Sequence, residues 1–220
     1  MIKTLISVLA ILLAFILLLN MQTAEFQAFT SETKRHIEIS ENPRQVIASQ
    51  FENQQGEHID WRQFGGKFVI ADFIYTRCQT VCHGLGFQFA EFQRLAADLI
   101  ASGKLHLLSI SFDSKQDTPE ALGGYIARFS DDSHSWSAVR LLDDSNQAQL
   151  LQQFGVVAID DGQGGYIHNA ALHLISPDGR LIKIVKYEQA NELISYLRQQ
   201  LVSTEIDDNQ FTGENLTVRY

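Results

Sequence analysis

Lys67-Phe68-Val69-Ile70-Ala71-Asp72-Phe73-Ile74-Tyr75-Thr76-Arg77-Cys78-Gln79-Thr80-Val81-Cys82-His83 joins an apolar run to a pair of cysteines. The run from Lys67 to Tyr75 is rich in Phe, Val and Ile, side chains that suit a buried strand. Beyond the cysteines, Phe87, Phe89, Phe92, Leu95, Leu99 and Ile100 recur at helical spacing through about Ala101. The cysteines therefore stand at a strand-to-helix turn, and they are the only two in the chain. A disulfide between residues so close in sequence closes too small a loop to restrict the unfolded chain much. The pair is better suited to chemistry than to stapling: it can open and close a disulfide, or clamp a soft metal ion.

Residues at i and i+4 share a helical face with Cβ atoms about 5–6 Å apart, so the two sulfurs can converge. A helix N-terminus and the neighbouring Arg77 both favour thiolate. Two thiolates and an imidazole suit copper or zinc by softness, with copper the tighter binder. The chain has seven histidines from which a third ligand could come. His36 lies in a polar segment, His58 and His106 at strand positions, His134 in a polar loop and His173 inside a strand, all ordinary places for a histidine. His168 differs, because it follows the glycine-rich Asp160–Gly165 loop and precedes a terminal hairpin that can run beside the cysteine turn. His83 adjoins Cys82 and is the competitor of His168 for the metal. Haem attachment at Cys82-His83 is disfavoured, since it normally takes two residues between the cysteines rather than three.

Working outward, Val46–Phe51 and His58–Trp61 flank Gln54-Gln55-Gly56 as a small hairpin. Leu105–Phe112 reads as a second buried strand. Asp117-Thr118-Pro119-Glu120 is a helix start, with a capping residue, Pro in the first turn and acidic charge at the positive end of the dipole. That helix is expected to reach Phe129. Ala138–Leu142 reads as a strand and Asn146–Phe154 as a short helix. Asp160–Gly165 is expected to be a flexible loop. Ala171–Ile175 and Leu181–Val185 form a hairpin across Pro177-Asp178-Gly179, and a last helix carries Leu193, Ile194, Leu197 and Leu201. This order predicts an α/β fold, a thioredoxin-like sandwich with an N-terminal hairpin, over residues 44–202.

Before that domain, Lys3 precedes an apolar stretch from Leu5 to Leu19 broken only by Ser7. A cleaved signal peptide has a shorter apolar region and small residues at the cut, whereas bulky Gln22 occupies such a position ahead of Ala24. With Ile2 and Met21 the segment reaches the roughly 17–25 residues that span a bilayer. Residues 1–22 are expected to be a single transmembrane helix with Lys3 inside. The domain would then be periplasmic and tethered to the inner membrane, where thiols can oxidise. Residues 23–43 read as a polar tether and 203–220 as a flexible polar tail. Hydrophobic residues make up 45% and charged residues 20%, with a net charge of -9. That balance suits one folded domain and argues against a nucleic-acid partner.

Taken in order, the landmarks resemble the Sco/SenC family of copper-binding proteins. They are the strand ending in Tyr75, the Cys78-to-Cys82 spacing, Ser111-Phe112-Asp113, Asp117-Thr118-Pro119-Glu120, Trp136, Phe154-Gly155-Val156, and His168 ahead of Ser176-Pro177-Asp178-Gly179-Arg180-Leu181. The resemblance implies that Cys78, Cys82 and His168 are copper ligands, with Asp113 a supporting acid that does not bind metal. It further implies a metallochaperone for the copper centre of cytochrome c oxidase, whose partner is a copper-accepting protein such as an oxidase subunit. The alternative is a periplasmic thiol–disulfide reductase, an enzyme in which Cys78 attacks and Cys82 resolves. Two positions depart from the family: Gln79 and His83 stand where proline usually follows each cysteine. Gly84-Leu85-Gly86 is also expected to loosen the start of the helix.

Overall fold

The structure is a computed structural model that describes residues 2–22, 31–78, 81–132 and 134–213. Its elements in chain order are α1 (Ile2–Gln22), α2 (Ser31–Glu41), β1 (Arg44–Gln45), β2 (Gln50–Asn53), β3 (His58–Asp60), β4 (Phe68–Ile74), α3 (Val81–Leu95), α4 (Ala97–Ala101) and β5 (Leu105–Ser111). There follow α5 (Pro119–Ile126), β6 (Trp136–Leu141), α6 (Gln147–Phe154), β7 (Ala158–Asp160), β8 (Tyr166–His168), β9 (Ala171–Ile175), β10 (Arg180–Lys186) and α7 (Ala190–Gly213).

Eight strands form one sheet in the order β1-β10-β9-β4-β5-β6-β2-β3, while β7 and β8 form a separate two-stranded sheet. β4 runs parallel to β5 and β5 parallel to β6, whereas β9 pairs with β4 in the antiparallel sense. Parallel neighbours require crossover helices, supplied here by α3 with α4 and by α5. Every residue of β4 is buried, as expected of a central strand covered on both faces. On β6, fully buried Trp136 packs against Phe89 and Tyr125, and its indole N–H donates to Ser109 Oγ of β5 at 2.9 Å.

Most expected elements are present, with shifted ends. The hairpin turns at Gly56, whose φ of 79° suits glycine. Thr118 Oγ1 caps α5 by accepting from Ala121 N, with Pro119 in the first turn. The helix read as continuous from the cysteines to Ala101 breaks at Ala96 into α3 and α4. Phe92, Ala96 and Leu99 are all buried across that break.

Other differences are larger. The polar segment expected to be a tether contains α2, which packs on β10 and buries Ile39 completely. One fully buried side chain leaves no periodicity to read, and a main-chain contact through Arg35 helps to dock the helix. The Asp160–Gly165 segment, expected as a flexible loop, is the turn of the β7–β8 hairpin. Asp161 Oδ1 accepts from Gln163 N at 2.7 Å and Gly165 N at 2.9 Å, so local side-chain bonds replace the missing apolar pattern. The expected polar tail continues α7 as far as Gly213. Helix propagation adds a hydrogen bond per residue without needing an apolar face. The rest of that tail, residues 214–220, lies outside the described residues.

α1 is helical over Ile2–Gln22, and residues 6–18 are all exposed. Among the described residues no helix is long and apolar enough to cross a membrane.

Candidate metal centre

The cysteine turn is built on the end of β4 and pinned from the β5–α5 connection. Asp117 accepts from Thr76 N at 2.9 Å, Thr76 Oγ1 at 2.6 Å and Ser111 Oγ at 2.6 Å. Arg128 donates to Thr76 O at 3.0 Å, and Cys78 N closes a turn onto Tyr75 O at 3.1 Å. Both thiols are free and buried, Cys78 at 2% exposure and Cys82 at 0%. Cys82 N lies 3.4 Å from Cys78 Sγ, so the main chain of the helix start already faces the first sulfur.

His168 ends β8 and reaches over this turn. Its Nε2 lies 3.5 Å from Cys82 Sγ. One ligand atom from each of Cys78, Cys82 and His168 lies within 4.8 Å of the others, and this is the one such group of three among the described residues. His168 Nδ1 is 3.0 Å from Asn169 O. A carbonyl oxygen only accepts, so this contact places a proton on Nδ1 and turns Nε2 toward the sulfurs. Tyr75 and Phe112 flank the imidazole edge to face, with centroids at 5.9 and 5.2 Å. The donor set of two thiols and an imidazole nitrogen fits a soft metal ion.

Asp113 stands outside this group. It pairs with Arg77 at 2.6 Å and accepts a longer contact from Tyr166 Oη at 3.4 Å, so it ties the cysteine turn to the strand that carries His168. This corrects the reading of Arg77 as an activator of the thiols, because a carboxylate takes its guanidinium. The Cys82 thiol is pushed upward, chiefly by its hydrogen bond with Cys78 and then by burial. A metal must therefore displace protons to bind.

The other histidines are occupied elsewhere. His83 packs against Phe87 and Phe129 with centroids at 6.4 and 5.3 Å, outside the three-ligand group. His173 is buried between Ala71 O and Phe154 O, at 3.2 and 3.0 Å, and burial lowers it to about 4. His106 meets Ser137 Oγ at 2.9 Å and is likewise lowered to about 4 by burial. His36 lies 4.0 Å from Glu32 on α2, His58 is on β3 and His134 is in the loop before β6. The glycines after Cys82 serve close packing. A Cβ on Gly86 would meet the Phe129 ring at 2.3 Å, and one on Gly84 would touch Tyr187. Gln79 lies outside the described residues.

Sequence reading did not single out Asn169 or Tyr166, or Asp117 beyond its place in a helix start. Tyr166 and His168 alternate along one face of β8, a signal too short to read without knowing that β8 exists.

A family model of SCO1/SenC proteins matches residues 39–202. The SCO1 protein homolog of Bacillus subtilis is 27% identical over 136 residues, which cover 60% of this chain and 69% of that protein. Among solved structures, BsSco, described as a member of the Sco family of cytochrome c oxidase assembly proteins with a disulfide switch, superposes with a TM-score of 0.61 at 22% identity. That match covers 72% of this chain and 94% of that one. ScoI of Bradyrhizobium japonicum with copper bound gives a TM-score of 0.59 at 22% identity over 71% of this chain and 99% of the other. At that identity the two structures support the mixed α/β, thioredoxin-like fold.

Proposed function

The chain belongs to the SCO1/SenC family, and from that premise we propose that it is a copper chaperone using Cys78, Cys82 and His168 as ligands. One observation carries the reading: the Nε2 of an imidazole whose Nδ1 faces a carbonyl oxygen lies against two buried thiols, all three ligand atoms being within 4.8 Å of one another. Copper is the cargo. As it binds, both thiols lose their protons, and the two sulfurs with Nε2 form a three-donor site. An incoming pair of soft ligands can displace these donors one at a time, so the ion passes on without being freed. Asp113 supports the site by holding Arg77 and Tyr166. The acceptor is a copper-receiving protein in the assembly of the cytochrome c oxidase copper centre, in keeping with the family. Residues 1–22 anchor the molecule in the inner membrane with the domain in the periplasm, a reading supported by the exposed aliphatic side chains of α1. Release of the full-length protein from membranes by alkaline carbonate would overturn the anchor.

The test of the copper reading is titration of the full-length, reduced protein in detergent micelles with Cu(I). One ion per molecule is expected, with little binding after the thiols are oxidised or in a Cys78→Ser, Cys82→Ser variant. Equal binding by reduced and oxidised protein would sink the cysteine clamp.

The two thiols, hydrogen-bonded to each other, favour a second reading, thiol–disulfide reduction. Cys78 thiolate would attack a client disulfide and expel one client thiolate. Cys82 would then break the mixed disulfide, leaving a Cys78–Cys82 disulfide and a client dithiol, with two electrons passed to the client. His168→Ala separates the readings, since it should weaken copper binding and leave reduction intact.

A further inference from the structure

His168 sits on a flap that the main sheet does not hold. β7 and β8 hydrogen-bond only to each other as strands, so the position of the imidazole depends on side-chain bonds. Tyr166 supplies some of them, meeting the Tyr75 hydroxyl through its N at 3.3 Å and its O at 3.5 Å and reaching Asp113 at 3.4 Å, and Asn169 joins the flap to the end of α6. Its Oδ1 accepts from Val157 N at 2.7 Å, its N donates to Val157 O at 3.3 Å, and its own carbonyl receives the His168 Nδ1 proton at 3.0 Å. Its Nδ2 donates to Gly155 O at 3.0 Å. The same Gly155 oxygen accepts from Arg35 of α2, also at 3.0 Å.

Gly155 closes α6 in the left-handed conformation, with φ of 71°, so its carbonyl stands at the negative end of that helix. A cation is favoured there. The fit around it is close, because a Cβ on Gly155 would meet Arg35 Cδ at 2.4 Å. Arg35 and His168 are far apart in sequence, yet one oxygen and one asparagine link them.

We infer that Asn169 and Arg35 form a latch at Gly155 O that positions His168 over the cysteines, so that α2 controls how firmly the cargo is held. The latch rests on the copper reading above. The Asn169 side chain acts on the imidazole by holding in place the main-chain carbonyl that His168 Nδ1 meets, and Arg35 acts through the shared oxygen. Neither touches the metal position. Loss of either loosens the third ligand and leaves both thiols in place. Anything that lifts α2 from the domain would have the same effect, which makes this helix a control point for release.

Full-length protein in detergent micelles, loaded with Cu(I), is mixed with excess bicinchoninate to time release. The Cu(II)-loaded protein is studied in parallel by electron paramagnetic resonance for nitrogen coupling. Asn169→Ala should speed release about ten- to a hundredfold, the usual range for partners that orient a metal ligand. It should weaken the nitrogen coupling while the protein still binds one copper. Arg35→Ala should move both readouts the same way by less, and Arg35→Lys should recover part of the loss. The double variant should fall short of the product of the single effects, because both residues act on one oxygen. Asn169→Asp keeps an acceptor for Val157 N and removes the donor to Gly155, so it stands in if the alanine variant fails to fold. Release rates and spectra unchanged in Asn169→Asp and Arg35→Ala, while His168→Ala changes both, overturn the latch and spare the copper site. No change with His168→Ala overturns the copper ligand assignment and the latch with it.

Discussion

The cysteine turn and the flap that carries His168 contribute to one cluster by opposite means. The turn grows from a strand buried along its whole length and is held by three donors converging on Asp117. The flap is a short hairpin outside the main sheet, with Ile159 and Ile167 exposed at 59% and 70%. It is held by Asn169, by Asp161 and by Tyr166 against Tyr75. A cluster with two fixed donors and one on a lightly held arm suits an ion that must be kept and then given up. Three equally rigid donors would resist ligand exchange, and three mobile ones would need ordering on every encounter.

The sharpest way to break this comparison is to cut the support of the turn. Asp117→Ala leaves Thr76 and Ser111 donors buried without a partner, which should cost about 3 kcal/mol. Chemical denaturation of the full-length protein should show this loss together with loss of copper binding. Stability unchanged to within about 0.5 kcal/mol would mean that the turn does not depend on Asp117.

Next in size is a pH response that belongs to the rigid half. His173 and His106 titrate near 4 when folded and near 6.5 when unfolded. Between those values the unfolded chain holds more protons, so each histidine's contribution is present above pH 6.5 and is lost as the pH falls toward 4. Asp72 acts the other way. Burial raises its carboxyl to about 7, so its contribution is present below about 4 and is lost as the pH rises to 7. Burial also raises the Asp117 carboxyl and lowers His36, one further group on each side. The two histidines of the core therefore outweigh Asp72, and stability should climb from pH 4 to 6.5. Asp72→Asn should steepen that climb, and a slope unaffected by the change would remove Asp72 from the balance.

The smallest effect is expected in the flap. Asp161→Ala removes the acceptor for Gln163 N and Gly165 N at an exposed turn, and should cost less than about 1 kcal/mol of global stability. Amide exchange at Ile167 and His168 should nevertheless quicken while that of β4 stays slow. Equal acceleration in both strands would show that flap and sheet open as one unit.

Chain pattern alone revealed the parts with their own signal. β4 and β5 are continuous apolar runs, and α5 begins with a capping threonine and a proline. Cys78 and Cys82 are conspicuous because no other cysteine exists to pair with either. His168 emerged from its place before the terminal hairpin and from the family resemblance. α2 stayed hidden because its docking rests on Ile39 and on an arginine reaching a carbonyl, neither of which repeats along the sequence. The strands β7 and β8 on either side of the Asp160–Gly165 turn carry no alternating apolar pattern, and the order of that turn comes from Asp161 bonding to nearby amides. Arg77 was assigned to the thiols on proximity in sequence, whereas Asp113 is its partner in space.

Which soft donors this protein owns, and where in the strand-to-helix turn they sit, is written in the chain, because four-residue spacing is a local property of the backbone. Only the tertiary structure decided which imidazole joins them, on which nitrogen its proton rests and what holds it there. Cys82 and His168 lie 86 residues apart, and the return of β9 alongside β4 brings the segment before β9 back to the cysteine turn. The carbonyl that sets the tautomer and the two donors on Gly155 are contacts between segments that carry no mark of one another until the chain has folded.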